Sequence, residues 1–347
     1  MSGAGPWRLP AEWEPHRSTI LCWPHRKEDW PGKFMPIPWV YAEIVRHIAG
    51  GERVRIIVQS PRERAKVERC LERAHVDRGQ VEFIVMETDR GWMRDASPAF
   101  VKQGSRTAAI QFAFNGWAKY ANWSKDRRIP ARLAAVTGSE WIEATHGNRP
   151  VVLEGGAIDV NGAGTLVTTE ECLLDPRVQV RNPGFTRQDY EALFKAYLGV
   201  TNVIWLGRGI AGDDTHGHVD DLCRFVNPNT VVLCREQDPR DDNYAPLAEN
   251  GERLAGARLE DGRAINVVAL PMPRPLYFEK LRLPASYANF YIANGAVLVP
   301  TFNDPSDRLA LNILQDLFPD RDVVGIHAVD LVWGLGTIHC LSHEEPL

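Results

Sequence analysis

Short apolar runs alternate along this chain with stretches in which apolar residues recur every three or four positions. Arg53-Val54-Arg55-Ile56-Ile57-Val58-Gln59 has the composition of a strand. After Pro61, the residues Val67, Cys70, Leu71 and Ala74 fall at i, i+3, i+4 and i+7, the stripe of an amphipathic helix, and Val81-Glu82-Phe83-Ile84-Val85-Met86 again reads as a strand. These segments make one βαβ unit. The alternation returns where Tyr190, Leu193, Phe194 and Tyr197 form a helical stripe closed by Gly199, ahead of the strand Asn202-Val203-Ile204-Trp205-Leu206. It returns once more where Ser306 or Asp304 starts a helix bearing Leu309 or Ala310, Ile313, Leu314 and Leu317 between strands at 296–299 and 322–326. The class is α/β or α+β. No linker, charge block or low-complexity stretch divides the chain, so one domain over residues 1–347 is expected.

Composition narrows the setting. A chain of 347 residues with 44% hydrophobic content buries a large core, and a formal charge of −5 gives no reason to expect nucleic acid or an anionic membrane as partner. The cysteines Cys22, Cys70, Cys172, Cys223, Cys234 and Cys340 show no paired spacing and no CxxC, so neither a disulfide framework nor a zinc ribbon is indicated. Met1-Ser2-Gly3-Ala4-Gly5-Pro6-Trp7 lacks the basic and apolar regions of a secretion signal, and no apolar run reaches the roughly 18 residues of a bilayer span. A cytoplasmic protein is expected.

Four clusters carry candidate chemistry. Near the end of the sequence, Gly334-Leu335-Gly336-Thr337-Ile338-His339-Cys340 sets a cysteine beside a glycine-rich turn, which reads either as a nucleophile close to exposed N–H groups or as a buried cysteine at a strand end. Gly212-Asp213-Asp214-Thr215-His216-Gly217-His218-Val219-Asp220-Asp221 packs two imidazoles and four carboxylates into ten residues. If that segment runs on as a strand into Leu222–Val226, His218 and Asp220 share a face, because side chains alternate with period two. Asp89-Arg90-Gly91-Trp92-Met93-Arg94-Asp95 follows a strand end, where loops commonly carry function, and Glu154-Gly155-Gly156 frees the backbone beside an acid; each also reads as an ordinary turn.

The spacing of these clusters is regular. Asp95 and Glu154 lie 59 positions apart, Glu154 and His218 64, and His218 and Cys340 122, twice 61. A period near 60 suggests repeated ββαβ-sized units, each sending a loop to a common centre.

In combination the motifs resemble the agmatine deiminase family, relatives of the peptidylarginine and arginine deiminases in the guanidine-modifying superfamily. The likeness runs from Pro10-Ala11-Glu12-Trp13-Glu14-Pro15-His16 and Trp23-Pro24-His25, through Trp92-Met93-Arg94-Asp95, Glu154-Gly155-Gly156 and His218-Val219-Asp220, to Asn294-Gly295 and Ile338-His339-Cys340. It implies a pentein fold, a five-bladed pseudo-symmetric α/β propeller of ββαβ modules. It also implies hydrolysis of agmatine to N-carbamoylputrescine and ammonia in polyamine synthesis, with no cofactor and with a homodimer as the assembly.

The resemblance matches Cys340 to the nucleophile, His218 to the general acid/base, Asp95 and Asp220 to the carboxylates that clamp the guanidinium, and Glu154 to the acid that orients the histidine. Trp92 becomes a wall of the guanidinium site or core packing, and Asp214, with Asp213, a partner for the ammonium at the far end of the substrate. The chemistry suits the set. A guanidinium is planar and permanently charged, so carboxylates hold it bidentately, and attack on its carbon needs a thiolate, whereas a free cysteine of pKa about 8.5 is mostly protonated at neutral pH.

The sequence departs from the family pattern at Arg90, where an acid is usual, at Ser97, at His216 and in Leu341-Ser342-His343-Glu344-Glu345. Arg90 reads either as a partner for a substrate carboxylate or as an exposed loop residue, and the loop Glu236–Tyr244 as a lid. Deimination of arginine or of a peptidyl arginine is the nearest alternative. Two rivals from other classes remain: a divalent-metal hydrolase using His216, His218, Asp213, Asp214, Asp220 and Glu154, which leaves the Cys340 motif without a role, and an inactive binding module.

Overall fold

In the computed structural model, residues 6–347 are described, and the Met1–Gly5 part of the N-terminal reading lies outside them. The three predicted alternations are present. Strands Arg53–Val58 and Val81–Val85 flank the helix Pro61–Arg73, whose Ser60 hydroxyl caps the first turn by accepting from Glu63 N. Thr186 and Asp189 form a capping box at the start of the helix Arg187–Leu198, and Gly199 ends it in the left-handed region at φ 71°. The helix Ser306–Leu317 lies between Ala296–Thr301 and Asp322–His327; Ala310 and Leu314 are buried, while Leu309 is exposed.

Among the described residues, one mixed pattern recurs in five sheets: a middle strand pairs antiparallel with one neighbour and parallel with the next, and a helix links the parallel pair. The middle strands are His16–Cys22, Arg106–Gln111, Thr165–Thr169, Thr230–Arg235 and Ala296–Thr301. Linking helices include Ile37–Ile48, Ile129–Thr137 and Tyr244–Ala255. Parallel strands need such crossovers, which cover one face and explain the continuous apolar runs.

In four of the sheets the antiparallel partner precedes the middle strand in sequence. In the first it is Ser342–Pro346, the last strand of the chain, paired with His16–Cys22. Two apolar clusters fill the interior. One gathers Ile44, Ile56, Val232, Leu298 and their neighbours, and the other Ile110, Leu166, Tyr190 and Phe194. Among the described residues, no helix is long and apolar enough to cross a membrane.

Candidate active site

The five residues of the proposed catalytic set come from four distant stretches, and each stands just before the first, antiparallel strand of a sheet. Asp95 lies in the short helix Met93–Ala96 before Ala99–Gln103, and Glu154 in the turn before Ile158–Val160. His218 and Asp220 precede Cys223–Asn227, and Cys340 lies in the short helix Ile338–Leu341 before Ser342–Pro346. The expected strand through His218 and Asp220 is not formed. Val219–Asp221 is a turn of 3-10 helix, and strand structure begins only at Cys223. The two side chains converge because Asp213 folds the preceding loop, accepting from Thr215 N (2.7 Å), Gly217 N (2.7 Å) and His218 N (3.0 Å), with His216 and Gly217 at φ 68° and 93°.

Local chemistry also explains the other segments. Asp126 accepts from Asp89 N (2.6 Å) and Arg90 N (2.8 Å), which bends the chain ahead of Trp92. Asp95 then accepts from Trp117 Nε1 at 2.8 Å and from Gly156 N at 3.0 Å. Gly156 is required by space: a Cβ there would lie 2.5 Å from His218 Nδ1, 3.0 Å from Asp95 Oδ1 and 3.1 Å from Asp220 Oδ2. The absent side chain keeps open the slot between the two carboxylates and the imidazole.

Around His218, Asp95 Oδ1 lies 3.9 Å and Asp220 Oδ1 4.0 Å from Nδ1, and Glu154 Oε2 lies 3.8 Å from Nε2. Both ring nitrogens and Asp220 Oδ1 are buried without a hydrogen-bond partner in the protein; Nδ1 faces the slot between Asp95 and Asp220, and Nε2 faces Glu154. Burial disfavours the imidazolium, but Asp95, Cys172 and Glu154 outweigh it and raise the His218 pKa well above its ordinary value. Burial likewise opposes ionisation of Glu154, yet Arg181 and His218 hold it down at about 2. Glu154 spends its hydrogen bonds on Arg181 Nε, at 3.1 and 3.3 Å, so it acts on His218 by charge rather than by a short bond.

The thiol of Cys340 is buried. Its pKa is pushed well above the ordinary value, first by burial and then by Asp220, Asp221 and Asp95. Asn289 works the other way. Its Nδ2 donates to Cys340 Sγ (3.0 Å) and to Asp221 Oδ1 (2.9 Å), while its Oδ1 accepts from Thr337 Oγ1 (2.8 Å) and His339 N (3.1 Å). Behind Asp220, His339 Nδ1 bonds Oδ2 at 2.7 Å and His339 Nε2 bonds Glu12 Oε2 at 2.8 Å; Glu12 in turn accepts from Arg94 and Arg224. Burial would raise Asp220, but His339 and His218 lower it, whereas burial raises Asp95.

The site opens into a cavity of about 330 Å³ lined by Trp92, Asp95, Trp117, Asp214, Trp333 and Cys340 among others. Trp92 lines the cavity and packs into the core, stacking on Trp30 at 5.8 Å. Asp214 is not a free carboxylate: Lys119 Nζ lies 2.5 Å and Tyr120 Oη 2.6 Å away. Asp213 is consumed by its own loop. Arg90 is not an exposed loop residue; it is buried against Asp29 at 3.1 Å and stacks on Tyr120 at 3.9 Å. The Glu236–Tyr244 loop does not line the cavity, and a hairpin it braces through Asp241 and Arg282 contributes Phe278 and Leu281 instead. Of the six residues of the metal rival, His218, Asp220 and Glu154 come together but the other three do not join them: His216 bonds Asp175 at 3.0 Å, and Asp213 and Asp214 are engaged as described.

Asn289, Arg181 and Cys172 were given no part by the sequence, and Asp221, Glu12 and His339 stood inside its motifs without a role of their own. One signal pointed to Asn289: it stands before the first strand of the fifth sheet, inside the double-length gap between His218 and Cys340.

The profile of the Porphyromonas-type peptidyl-arginine deiminase family matches residues 8–346, nearly the whole chain. The chain belongs to this family. Agmatine deiminase of Stutzerimonas stutzeri is 34% identical to this family member over 97% of this chain and 95% of its own length, and that of Pseudomonas aeruginosa 33% over 98% and 95%. Among solved structures, agmatine deiminase of Enterococcus faecalis aligns with TM-score 0.89 at 28% identity, covering 100% of this chain and 98% of that one. A putative arginine deiminase of Porphyromonas gingivalis aligns with TM-score 0.87 at 36% identity, covering 98% of each chain. An amidinotransferase of Microseira wollei, 12% identical with TM-score 0.51 over 98% of this chain and 97% of that one, shares the fold alone.

Proposed function

We propose that this family member hydrolyses the guanidinium of agmatine to a ureido group and ammonia through a covalent adduct on Cys340. The observation that carries the reading is the convergence of a buried thiol, an imidazole whose Nδ1 has no partner in the protein and two carboxylates on one slot kept open by Gly156. Relatives named agmatine deiminases along nearly the whole chain support agmatine as the substrate.

In this reading Asp95 and Asp220 hold the guanidinium, and its positive charge offsets the carboxylates that keep the thiol protonated. Substrate binding thereby favours loss of the thiol proton to solvent, since His218 already carries its own, and so favours the thiolate, which would otherwise be scarce. Cys340 sulfur attacks the guanidinium carbon, and His218, an imidazolium at neutral pH, protonates a departing amino group, which leaves as ammonia. The C–N bond is broken and an S-alkylthiouronium remains. Neutral His218 then takes a proton from water as its oxygen adds to that carbon, and collapse expels the Cys340 thiolate and gives the ureido product.

The five sheets read as blades of a closed α/β propeller. Their shared strand pattern, the pairing of the last strand with His16–Cys22, and the placing of one site segment before each first strand support this.

The test is release of ureido product and ammonia from agmatine by wild type and Cys340→Ala side by side. Turnover by wild type with loss of more than about 10³-fold in Cys340→Ala is expected. Substantial activity in pure Cys340→Ala would sink the covalent mechanism.

A further inference from the structure

Groups on two sides compete for the protons of His218. On the slot side Asp95 and Asp220 face Nδ1 at 3.9 and 4.0 Å, and behind the ring Glu154 faces Nε2 at 3.8 Å. The rear side holds one more group. The Cys172 sulfur, a Glu154 oxygen and a His218 ring nitrogen lie within 4.8 Å of one another, and all three residues are buried. Nε2 is the nitrogen turned to Glu154 and hence to this sulfur; it is buried and has no partner of its own.

The chain fixes both rear groups from outside. Thr169 caps the helix Glu170–Leu174, accepting from Cys172 N at 3.1 Å, and its hydroxyl donates to the carbonyl of Gly217, the residue before His218, at 2.5 Å. One side chain thus ties Cys172 to the loop that carries the imidazole. Arg181 Nε, 3.1 and 3.3 Å from the two Glu154 oxygens, keeps that carboxylate at its 3.8 Å from Nε2, beyond hydrogen-bond reach. The sulfur is then the remaining acceptor for a proton on Nε2.

The two halves of the reaction ask different things of this proton. An imidazolium carries protons on both nitrogens, so expulsion of ammonia needs only the one on Nδ1. That step leaves His218 neutral, with Nδ1 bare toward the slot and the proton on Nε2, and the ring must keep this form until it takes a proton from water. Asp95 and Asp220 favour the opposite tautomer, with the proton on Nδ1. Only the groups behind the ring oppose them.

We propose that Cys172 is a positioning residue for the hydrolytic half of the reaction: its sulfur accepts from His218 Nε2–H and holds the imidazole in the tautomer that can act as a base. The inference rests on the cysteine deiminase reading above and adds the group that sets the tautomer.

The experiment mixes enzyme in excess with agmatine, quenches in acid from milliseconds onward, and follows the thiouronium on Cys340 and the ureido product by mass spectrometry. In Cys172→Ala, adduct formation is expected to stay within about twofold of wild type while its hydrolysis slows about fivefold or more, the scale of one lost hydrogen bond. In the steady state kcat and KM then fall together and kcat/KM holds, because ammonia has already left. Cys172→Ser, which restores an acceptor, should recover hydrolysis. A purely structural role loosens His218 for both halves; formation and hydrolysis slowed alike, or hydrolysis unchanged, overturns the assignment and leaves the deiminase reading standing. Wild type that makes no adduct on Cys340 removes that reading as well. Should neither Cys172→Ala nor Cys172→Val fold, nitrogen NMR decides on wild type with isotope-labelled histidine, alkylated at Cys340 by chloroacetamidine, whose amidinium stands in for the thiouronium. Neutral His218 protonated on Nε2 is expected, and protonation on Nδ1 overturns the proposal.

Discussion

Gly156 shows how much of this site depends on what a single residue lacks. Its φ lies outside the left-handed region, so alanine meets no backbone obstacle, yet the added methyl would press on His218, Asp95 and Asp220 at once. Gly156→Ala is expected to keep the far-UV circular dichroism of wild type while kcat/KM on agmatine falls at least about 10²-fold, the scale of a 1 Å displacement of reacting groups. The thiol offers a second check at this scale. Burial and the Asp220, Asp221 and Asp95 carboxylates raise its pKa, so without substrate Cys340 should react with iodoacetamide only at a midpoint above the ordinary value of about 8.5. Asp220→Asn removes one of those charges and should move the midpoint down. Peptide mapping of the alkylated Cys340 across pH reads both, and fast labelling of wild type at pH 7 would contradict the neutral resting thiol.

Short, irregular segments rather than the regular elements carry the chemistry. The helices Met93–Ala96 and Ile338–Leu341 have four residues each, and the His218 segment is one 3-10 turn. Such pieces have no intrinsic stability and are held from outside. Asn289 does this for the nucleophile, since one side chain bonds Thr337, His339, Asp221 and Cys340. Asn289→Ala should lower kcat sharply. It should also raise the Cys340 alkylation midpoint, a change that mere loosening of the fold would not produce, and leave buried groups unsatisfied at about 1–3 kcal/mol of stability by urea denaturation. The sequence could not reveal this role, because an asparagine before an apolar run reads as a turn, and only the fivefold strand pattern gives its position meaning.

Across the whole molecule, Glu12 joins segments far apart in sequence, accepting from Arg94, Arg224, His339 and Ile292 N. Burial resists its ionisation, but Arg224, His339 and Arg94 bring its pKa well below the ordinary 4.5. A carboxyl depressed in the folded state contributes stability that is present above its unfolded pKa and lost as pH falls through the folded one. Glu12→Gln, which leaves the two arginines undercompensated, should therefore reduce stability by about 3–5 kcal/mol at pH 7. The gap from wild type should narrow as pH drops below 4.5, where the carboxylate of the unfolded chain takes up its proton while the folded one still resists, and should be lost as pH falls through the lower folded value. Urea midpoints for both proteins from pH 7 to 3 test this; a gap that is constant or widens on acidification would refute the assignment.

Local pattern alone determined the strands, the amphipathic helices and the spacing near 60, because hydrophobic period and capping residues act over a few positions and need no partner. The residue types of the site were legible for the same reason: Cys340, His218, Asp95, Asp220 and Glu154 stand in short motifs whose chemistry belongs to the side chains themselves. What tertiary structure decided is the state of each charge. Lys119 closes Asp214, Arg181 rather than His218 takes the hydrogen bonds of Glu154, and Arg90 leaves the surface for a buried pair with Asp29. In each case the partner comes from a part of the chain that sequence order does not identify, 95 positions away for Lys119 and Asp214. Electrostatics depends on distance and burial in space, and only the packed sheets set those.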